Sequence, residues 1–73
     1  MSGELVFSAL RAKLESERLE GLAVLNVYIT NPAGIGEHPQ IVEEAYKALK
    51  NIESAESAIE TLDRIMSSSK QQE

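Results

Sequence analysis

The chain has 73 residues, no cysteine and one histidine, and its twelve acidic and seven basic side chains give a net charge of -5. This length predicts one small domain, and the lack of cysteine excludes disulfides and thiolate zinc sites as sources of stability. The acidic balance argues against long nucleic acid and anionic membranes as partners, since both attract lysine and arginine. A chain this small gains little stability from the apolar surface that it buries alone, so we expect self-association to supply further burial.

The first predicted element is a helix over about residues 4–31, because apolar residues recur there at helical intervals. They are Leu5, Phe7, Leu10, Leu14, Leu22, Leu25, Tyr28 and Ile29. Residues 22–30 read LAVLNVYIT, and a strand stays open as the alternative because β-branched residues favour strands. Gly21 either weakens this helix or lets another helix approach closely. Asn26, inside the apolar run, is expected to form a hydrogen bond across an interface and fix its register.

A loop is predicted at residues 32–38, in a stretch that holds two of the four glycines and is bordered by both prolines. Pro32 disfavours helical angles at Asn31, and Pro39 suits the first turn of a second helix. That helix is predicted over about residues 39–67, where apolar residues at alternating spacings of three and four form one continuous line, the seam. The seam residues are Ala45, Ala48, Ile52, Ala55, Ile59, Leu62 and Met66. The polar tail 68–73 has no periodicity and is expected to be disordered.

Two long helices joined by a short loop predict an all-α fold, a long antiparallel helical hairpin. One hairpin leaves half of each apolar stripe exposed, so we expect a four-helix-bundle-type homo-oligomer. The partner is then a second copy of the chain, in a homodimer or a dimer of dimers. The sequence shows no secretory signal and no membrane-spanning stretch, and a cytoplasmic location is expected.

The loop is the candidate binding element because glycine at Gly34 and Gly36 allows positive φ. Successive backbone N–H groups can then point into one concavity and bind an anion, helped by the start of the following helix. A purely structural interpretation remains open, in which the glycines form the turn and Ile35 packs against the end of the helical bundle. Neither a Walker motif nor a dinucleotide-binding glycine motif accompanies the loop.

Six further side chains are candidates for contacts with the same ligand: Tyr28, Asn31, His38, Tyr46, Lys47 and Lys50. The tyrosines can stack on a nucleobase, the lysines can meet a phosphate, and the other two offer polar contacts. Each type of side chain also has a structural interpretation. The tyrosines pack against the other helix, the lysines form ion pairs with nearby acids, and His38 caps the second helix. The chain lacks a nucleophile–base arrangement, so we expect a protein that is not an enzyme and needs no metal or cofactor.

The segment NPAGIGEHP at residues 31–39, followed by Ile41, Val42 and Glu43, resembles a segment of small proteins from tailed phages, including T4-like phages and cyanophages. Those proteins are similar in length and carry a comparable long helix after the segment. The resemblance therefore implies a phage accessory protein acting in the host cytoplasm.

Small oligomeric phage proteins without catalytic residues often work by stoichiometric binding. Anti-defence sponges are one such class, and they hold nucleotide signals of host immune systems such as CBASS and Thoeris. Such a sponge needs an oligomer, backbone donors for phosphates and side chains that stack on bases, and this sequence offers candidates for all three. The leading hypothesis is therefore sequestration of a small phosphate-bearing ligand such as a cyclic nucleotide. The alternative is a protein–protein interaction module that occupies or mimics a host protein surface.

Overall fold

The computed structural model describes residues 2–30 and 40–71, which form two helices, α1 (Ser2–Thr30) and α2 (Ile41–Gln71). The helices pack against each other along their lengths. Arg11, early in α1, contacts Asp63, late in α2, whereas Gly21 contacts Ala48 and Ile52. The order of these contacts runs in opposite directions along the two helices, so the predicted antiparallel helical hairpin is confirmed.

The helix boundaries differ from the predicted ones by a few residues. α1 ends at Thr30, just before the Asn-Pro pair, as the restriction on a residue preceding proline predicts. α2 begins at Ile41, and the Glu44 N–H donates to the Gln40 carbonyl at 2.9 Å. It continues to Gln71, so the helix is longer than the predicted one, which ended at about residue 67. Residues 67–71 contain no glycine or proline, and an existing helix extends without a new nucleus.

Residues 22–30 are helical throughout, so the strand alternative for LAVLNVYIT is wrong. A strand would leave its backbone N–H and C=O groups in need of a second strand, whereas a helix pairs them within itself. Leu25 and Tyr28 are also half-buried in the direction of α2. The packing on α2 thus outweighs the strand preference of the β-branched residues in this segment.

The hydrophobic core lies on α2 and follows the predicted seam. Its buried side chains are Ala48, Ile52, Ala55, Ile59 and Leu62, and Ala45 and Met66 extend the seam as half-buried residues. Alternating spacings of three and four keep these residues on one side of the helix, which is the side that faces α1. The seam predicted for the second helix is confirmed.

The side of α1 that faces α2 differs from the apolar pattern of its sequence. The partly or fully covered residues at spacings of three and four are Phe7, Arg11, Leu14, Arg18, Gly21, Leu25 and Tyr28. Two arginines and a glycine thus occupy positions where apolar side chains are usual. Leu5, Leu10, Leu22 and Ile29 remain exposed, so a large part of the apolar surface of α1 is not used within the hairpin.

Gly21 lies where the two helices pack closely together. A Cβ atom at this position would lie 2.8 Å from Cγ1 of Ile52 and 3.4 Å from the backbone oxygen of Ala48. Carbon atoms at van der Waals contact are about 3.5–4.0 Å apart, so only glycine fits without a shift. Close approach of a second helix is therefore the reason for a glycine in the middle of α1.

Arg11 and Arg18 belong to an ion-pair network that links the two helices. Arg11 donates from Nε and Nη2 to the two oxygens of Asp63, at 3.1 and 2.9 Å, and its Nη1 lies 2.8 Å from Glu15. Arg18 bonds the other oxygen of Glu15 at 3.1 Å and approaches Glu56 at 4.0 Å. The hydrogen bond from Arg11 lowers the pKa of Asp63, and the bond from Arg18, followed by that from Arg11, lowers the pKa of Glu15.

The hairpin is long and thin, with extents of 56 × 16 × 14 Å. Such a shape places most residues at the surface, and within the described helices only five hydrophobic side chains are buried. Neither helix, over the residues described, is long and apolar enough to cross a membrane.

Candidate ligand-binding end of the hairpin

The candidate site lies at the end of the hairpin where α1 stops and α2 begins, which we call the loop end. Five of the predicted site residues, Asn31, Gly34, Ile35, Gly36 and His38, lie outside the described residues. The hairpin fixes where their segment is attached, because Thr30 and Ile41 are the helix ends that border it. The role of these five residues stays a prediction.

Tyr28 and Tyr46 both lie at the loop end but differ in exposure. Tyr28 is half-buried and continues the side of α1 that packs on α2, whereas the Tyr46 side chain is 60% exposed. In the antiparallel register Tyr28 is level with Ala45, the residue before Tyr46. Tyr46 therefore has the free ring surface that stacking requires, while Tyr28 acts in part as a packing residue.

Lys50 lies one helical turn after Tyr46, on the same exposed side of α2. Its Nζ is 3.1 Å from an oxygen of Glu53, and that hydrogen bond raises the pKa of Lys50, with a smaller contribution from Tyr46. An aromatic ring and a cation thus lie together near the loop end. A planar ligand with a phosphate needs contacts of these two types.

Lys47 lies on a different side of α2, in a groove of about 600 Å³ between the helices. Its Nζ is 3.2 Å from Oε2 of Glu44. The groove is lined by Glu17, Glu20, Gly21, Val24, Glu44, Lys47, Ala48, Asn51 and Ser54. Three glutamates outnumber the single lysine here, so within one hairpin this groove is unfavourable for an anion.

A second groove, of about 480 Å³, lies at the opposite end and is almost entirely apolar. It is lined by Leu10, Leu14, Ser57, Ala58, Thr61, Leu62 and Ile65. The sequence places Leu10 and Leu14 in the apolar pattern of the first helix and Leu62 in the seam of the second, but it does not predict the groove. Among residues 2–30 and 40–71, no cluster of three or more acidic, histidine or cysteine side chains is arranged to hold a metal ion.

An exposed apolar surface surrounds the loop end on the side of α2 that carries Tyr46. Ile29 is 66% exposed and Val42 is 80% exposed, and Leu22 and Leu49 continue the same surface away from the loop. The sequence predicts apolar surface that one hairpin leaves exposed, but it does not identify this patch. The sequence does contain an indication of the patch. A second series of residues on α1, at alternating spacings of three and four, passes through Leu22 and Ile29.

The comparisons with known proteins assign no family to the chain. A scan against protein-family models, a search of curated proteins and a search of solved structures each return no match.

Proposed function

We propose that this chain is a non-enzymatic phage accessory protein that forms a homo-oligomer and sequesters a small anionic ligand, such as a cyclic nucleotide signal of the CBASS or Thoeris type. The resemblance of the NPAGIGEHP segment supports the phage origin. The observation that carries the proposal is the pairing of exposed Tyr46 with Lys50 on one side of α2, beside that segment.

Each part of the loop end has a role in this proposal. Gly34, Gly36 and the first turn of α2 hold phosphate through backbone N–H groups. Tyr46 stacks on a base, and Lys50 exchanges its contact with Glu53 for one with a phosphate. His38 and Asn31 supply polar contacts to the rest of the ligand.

The acidic character of the chain sets a condition on this function. The net charge is -5, and both Lys47 and Lys50 already have glutamate partners. An anion bound to one hairpin would meet few uncompensated cations, whereas a pocket between protomers collects lysines and backbone donors from several copies. Homo-oligomerisation is therefore part of the binding mechanism, and a preformed pocket limits the ordering cost of binding.

Calorimetric titration with cyclic di- and trinucleotides and ADP-ribose-type molecules tests the proposal. At least one ligand is expected to bind stoichiometrically and to be recovered unchanged. Tyr46→Ala is expected to weaken that binding about 5- to 150-fold, because base stacking contributes about 1–3 kcal/mol. Tyr46→Phe should keep most of the affinity because it keeps the aromatic ring.

Lysine substitutions give the matched control for the charge contribution. Lys50→Ala is expected to weaken binding and to reduce its salt dependence, whereas Lys13→Ala, an exposed lysine on the other half of α1, should leave both unchanged. No heat from any member of the panel would contradict the proposal, as would equal losses for both lysine variants.

A second candidate is the interaction module that occupies or mimics a host protein surface. It is favoured by a row of exposed acids on α2, namely Glu53, Glu56 and Glu60. Their spacings of three and four place them on one stripe, as in a helix that presents charge to a basic partner. Recovery of one stoichiometric host protein from lysate, together with no heat in the titrations, would favour this candidate over the first.

A further inference from the structure

A second heptad seam runs along α1 beside the one that contacts α2. It passes through Leu5, Ser8, Ala12, Glu15, Leu19, Leu22, Asn26 and Ile29, with spacings that alternate between three and four throughout. We call these residues the free seam, because Leu19 is 58% exposed, Leu22 40% and Ile29 66%. A sustained spacing of this kind is typical of a helix that packs along another helix.

We propose that a second copy of this chain packs on the free seam, α1 against α1, with the two Asn26 side chains meeting on a two-fold axis. The inference deepens the proposed function, and rests on it, because it names the protomer that completes the binding pocket. Asn26 lies four residues before the end of α1, which is about 6 Å along the helix axis. The NPAGIGEHP segments of the two copies then start close together.

Asn26 is the reason for choosing a second copy over an unrelated partner. A carboxamide carries both a hydrogen-bond donor and an acceptor, so two asparagines related by a two-fold axis satisfy each other. Between Leu19 and Ile29 the free seam is otherwise apolar, and a single asparagine among apolar seam residues fixes register and copy number in helical assemblies. An unrelated protein would have to provide a matching polar group at this one position, whereas a symmetric copy provides it automatically.

The size of the hairpin face fits an interface between two copies. A side 56 Å long and 16 Å wide offers about 900 Å² per protomer, close to the ~800 Å² that each partner buries in a standard stable interface. The apolar surface is not limited to α1, because Val42 and Leu49 of α2 are exposed on the same side. Val42 and Leu49 share one heptad position with Glu56 and Asp63, because all four are seven residues apart. Glu56 and Asp63 reach the ion-pair network around Glu15, a residue of the free seam, so this heptad position of α2 lies on the same side as the free seam.

The charges on this side of the two acidic chains are partly paired within each hairpin. Arg11 and Arg18 offset two of the three carboxylates of Glu15, Glu56 and Asp63 within each hairpin, which leaves one net negative charge. The stretch of the free seam nearest the loop end, from Leu19 to Ile29, contains no ionisable side chain. A second copy can therefore approach it without burying an unpaired charge.

Cysteine cross-linking tests the proposal directly, because the chain has no cysteine of its own. Asn26→Cys places one thiol per chain on the proposed axis, where we expect the two Cα atoms to fall within the 4.4–6.8 Å range that a disulfide needs. Mild oxidation is expected to convert most of the variant to a disulfide-linked dimer. The matched control is Asn51→Cys, an exposed asparagine that lines the groove containing Lys47 and should stay monomeric on a denaturing gel.

A pair of leucine variants gives a second readout that does not depend on oxidation. Leu22→Gln lies on the free seam and is expected to shift the sedimentation mass to that of one chain. Leu10→Gln has a similar exposure, 44% against 40%, but lies beside the apolar groove and should keep the mass of the wild-type assembly. Equal cross-linking of both cysteine variants, no cross-linking of Asn26→Cys, or equal effects of both leucine variants would overturn the proposal.

The outcome is separable from that of the proposed function. A cross-linked Asn26→Cys dimer that binds no nucleotide would support this interface and contradict ligand sequestration. A nucleotide-binding protein whose Asn26→Cys variant does not cross-link would do the reverse.

Discussion

Replacement of Ile59 by alanine is expected to lower the free energy of unfolding by about 2–5 kcal/mol, as measured by urea denaturation. Ile59 is 8% exposed and is one of only five buried hydrophobic residues in the described helices. A chain of this length has a total stability of about 4–11 kcal/mol at the usual value per residue, so this one change removes a large fraction of it. Much of the variant is expected to be unfolded at physiological temperature.

Two controls separate a core effect from a general loss of apolar surface. Ile59→Val removes one methyl group and should cost about 0.5–1.5 kcal/mol. Ile65→Ala makes the same truncation as Ile59→Ala at an exposed position, and should cost less than about 1 kcal/mol. A loss for Ile65→Ala as large as that for Ile59→Ala would show that the seam is not where the stability lies.

Substitution of Gly21 by alanine is expected to destabilise the protein even though alanine is the better helix former. The gain in helix propensity is about 1 kcal/mol. The added Cβ would lie 2.8 Å from Cγ1 of the buried Ile52, and overpacking of this kind costs about 1–3 kcal/mol. The expected net effect in urea denaturation is a loss of up to about 2 kcal/mol, and Gly21→Val should lose more.

Gly3 provides the matched control for this substitution. A Cβ atom at Gly3 would meet nothing within 4 Å, although the residue is also helical. Gly3→Ala is therefore expected to stabilise the protein slightly through helix propensity alone. A stabilising effect of Gly21→Ala equal to that of Gly3→Ala would mean that the helices are farther apart than this packing requires.

The seam of α2 could be predicted from the sequence because packing and periodicity agree there. Each position with the heptad spacing carries an apolar residue, from Ala45 to Met66, and charged or polar residues fill most positions between them. Only one side of α2 can then face a neighbouring helix without burying charge. The all-α hairpin followed from this pattern together with the proline-bounded loop.

The seam of α1 could not be predicted in the same way because it contains residues that an apolar pattern omits. Arg11 and Arg18 pack beside α2 only because Asp63 and Glu56 lie opposite them, and that pairing depends on the register of the hairpin. The second half of α1 is also apolar on nearly every side, so its periodicity does not identify the side that faces α2. Of the five leucines in the predicted apolar pattern of this helix, Leu5, Leu10 and Leu22 are exposed, whereas Leu14 and Leu25 are half-buried.

The candidate site was predictable in part. Helical spacing alone places Tyr46 and Lys50 one turn apart on the same side, and the structure confirms that they are neighbours. The difference between Tyr46 and Tyr28 depends on which side of each helix faces the other, so it required the hairpin register. The pairing of Lys47 with Glu44 in an acidic groove likewise depends on residues of both helices.

We propose that one hairpin is an incomplete core that becomes stable only with a second copy. Thermal unfolding at a series of chain concentrations tests it most directly, because association coupled to folding makes the midpoint depend on concentration. The midpoint is expected to rise steadily across a thousandfold range of concentration, and Leu22→Gln should lower it most at the dilute end. A cooperative transition with the same midpoint at every concentration would contradict the claim.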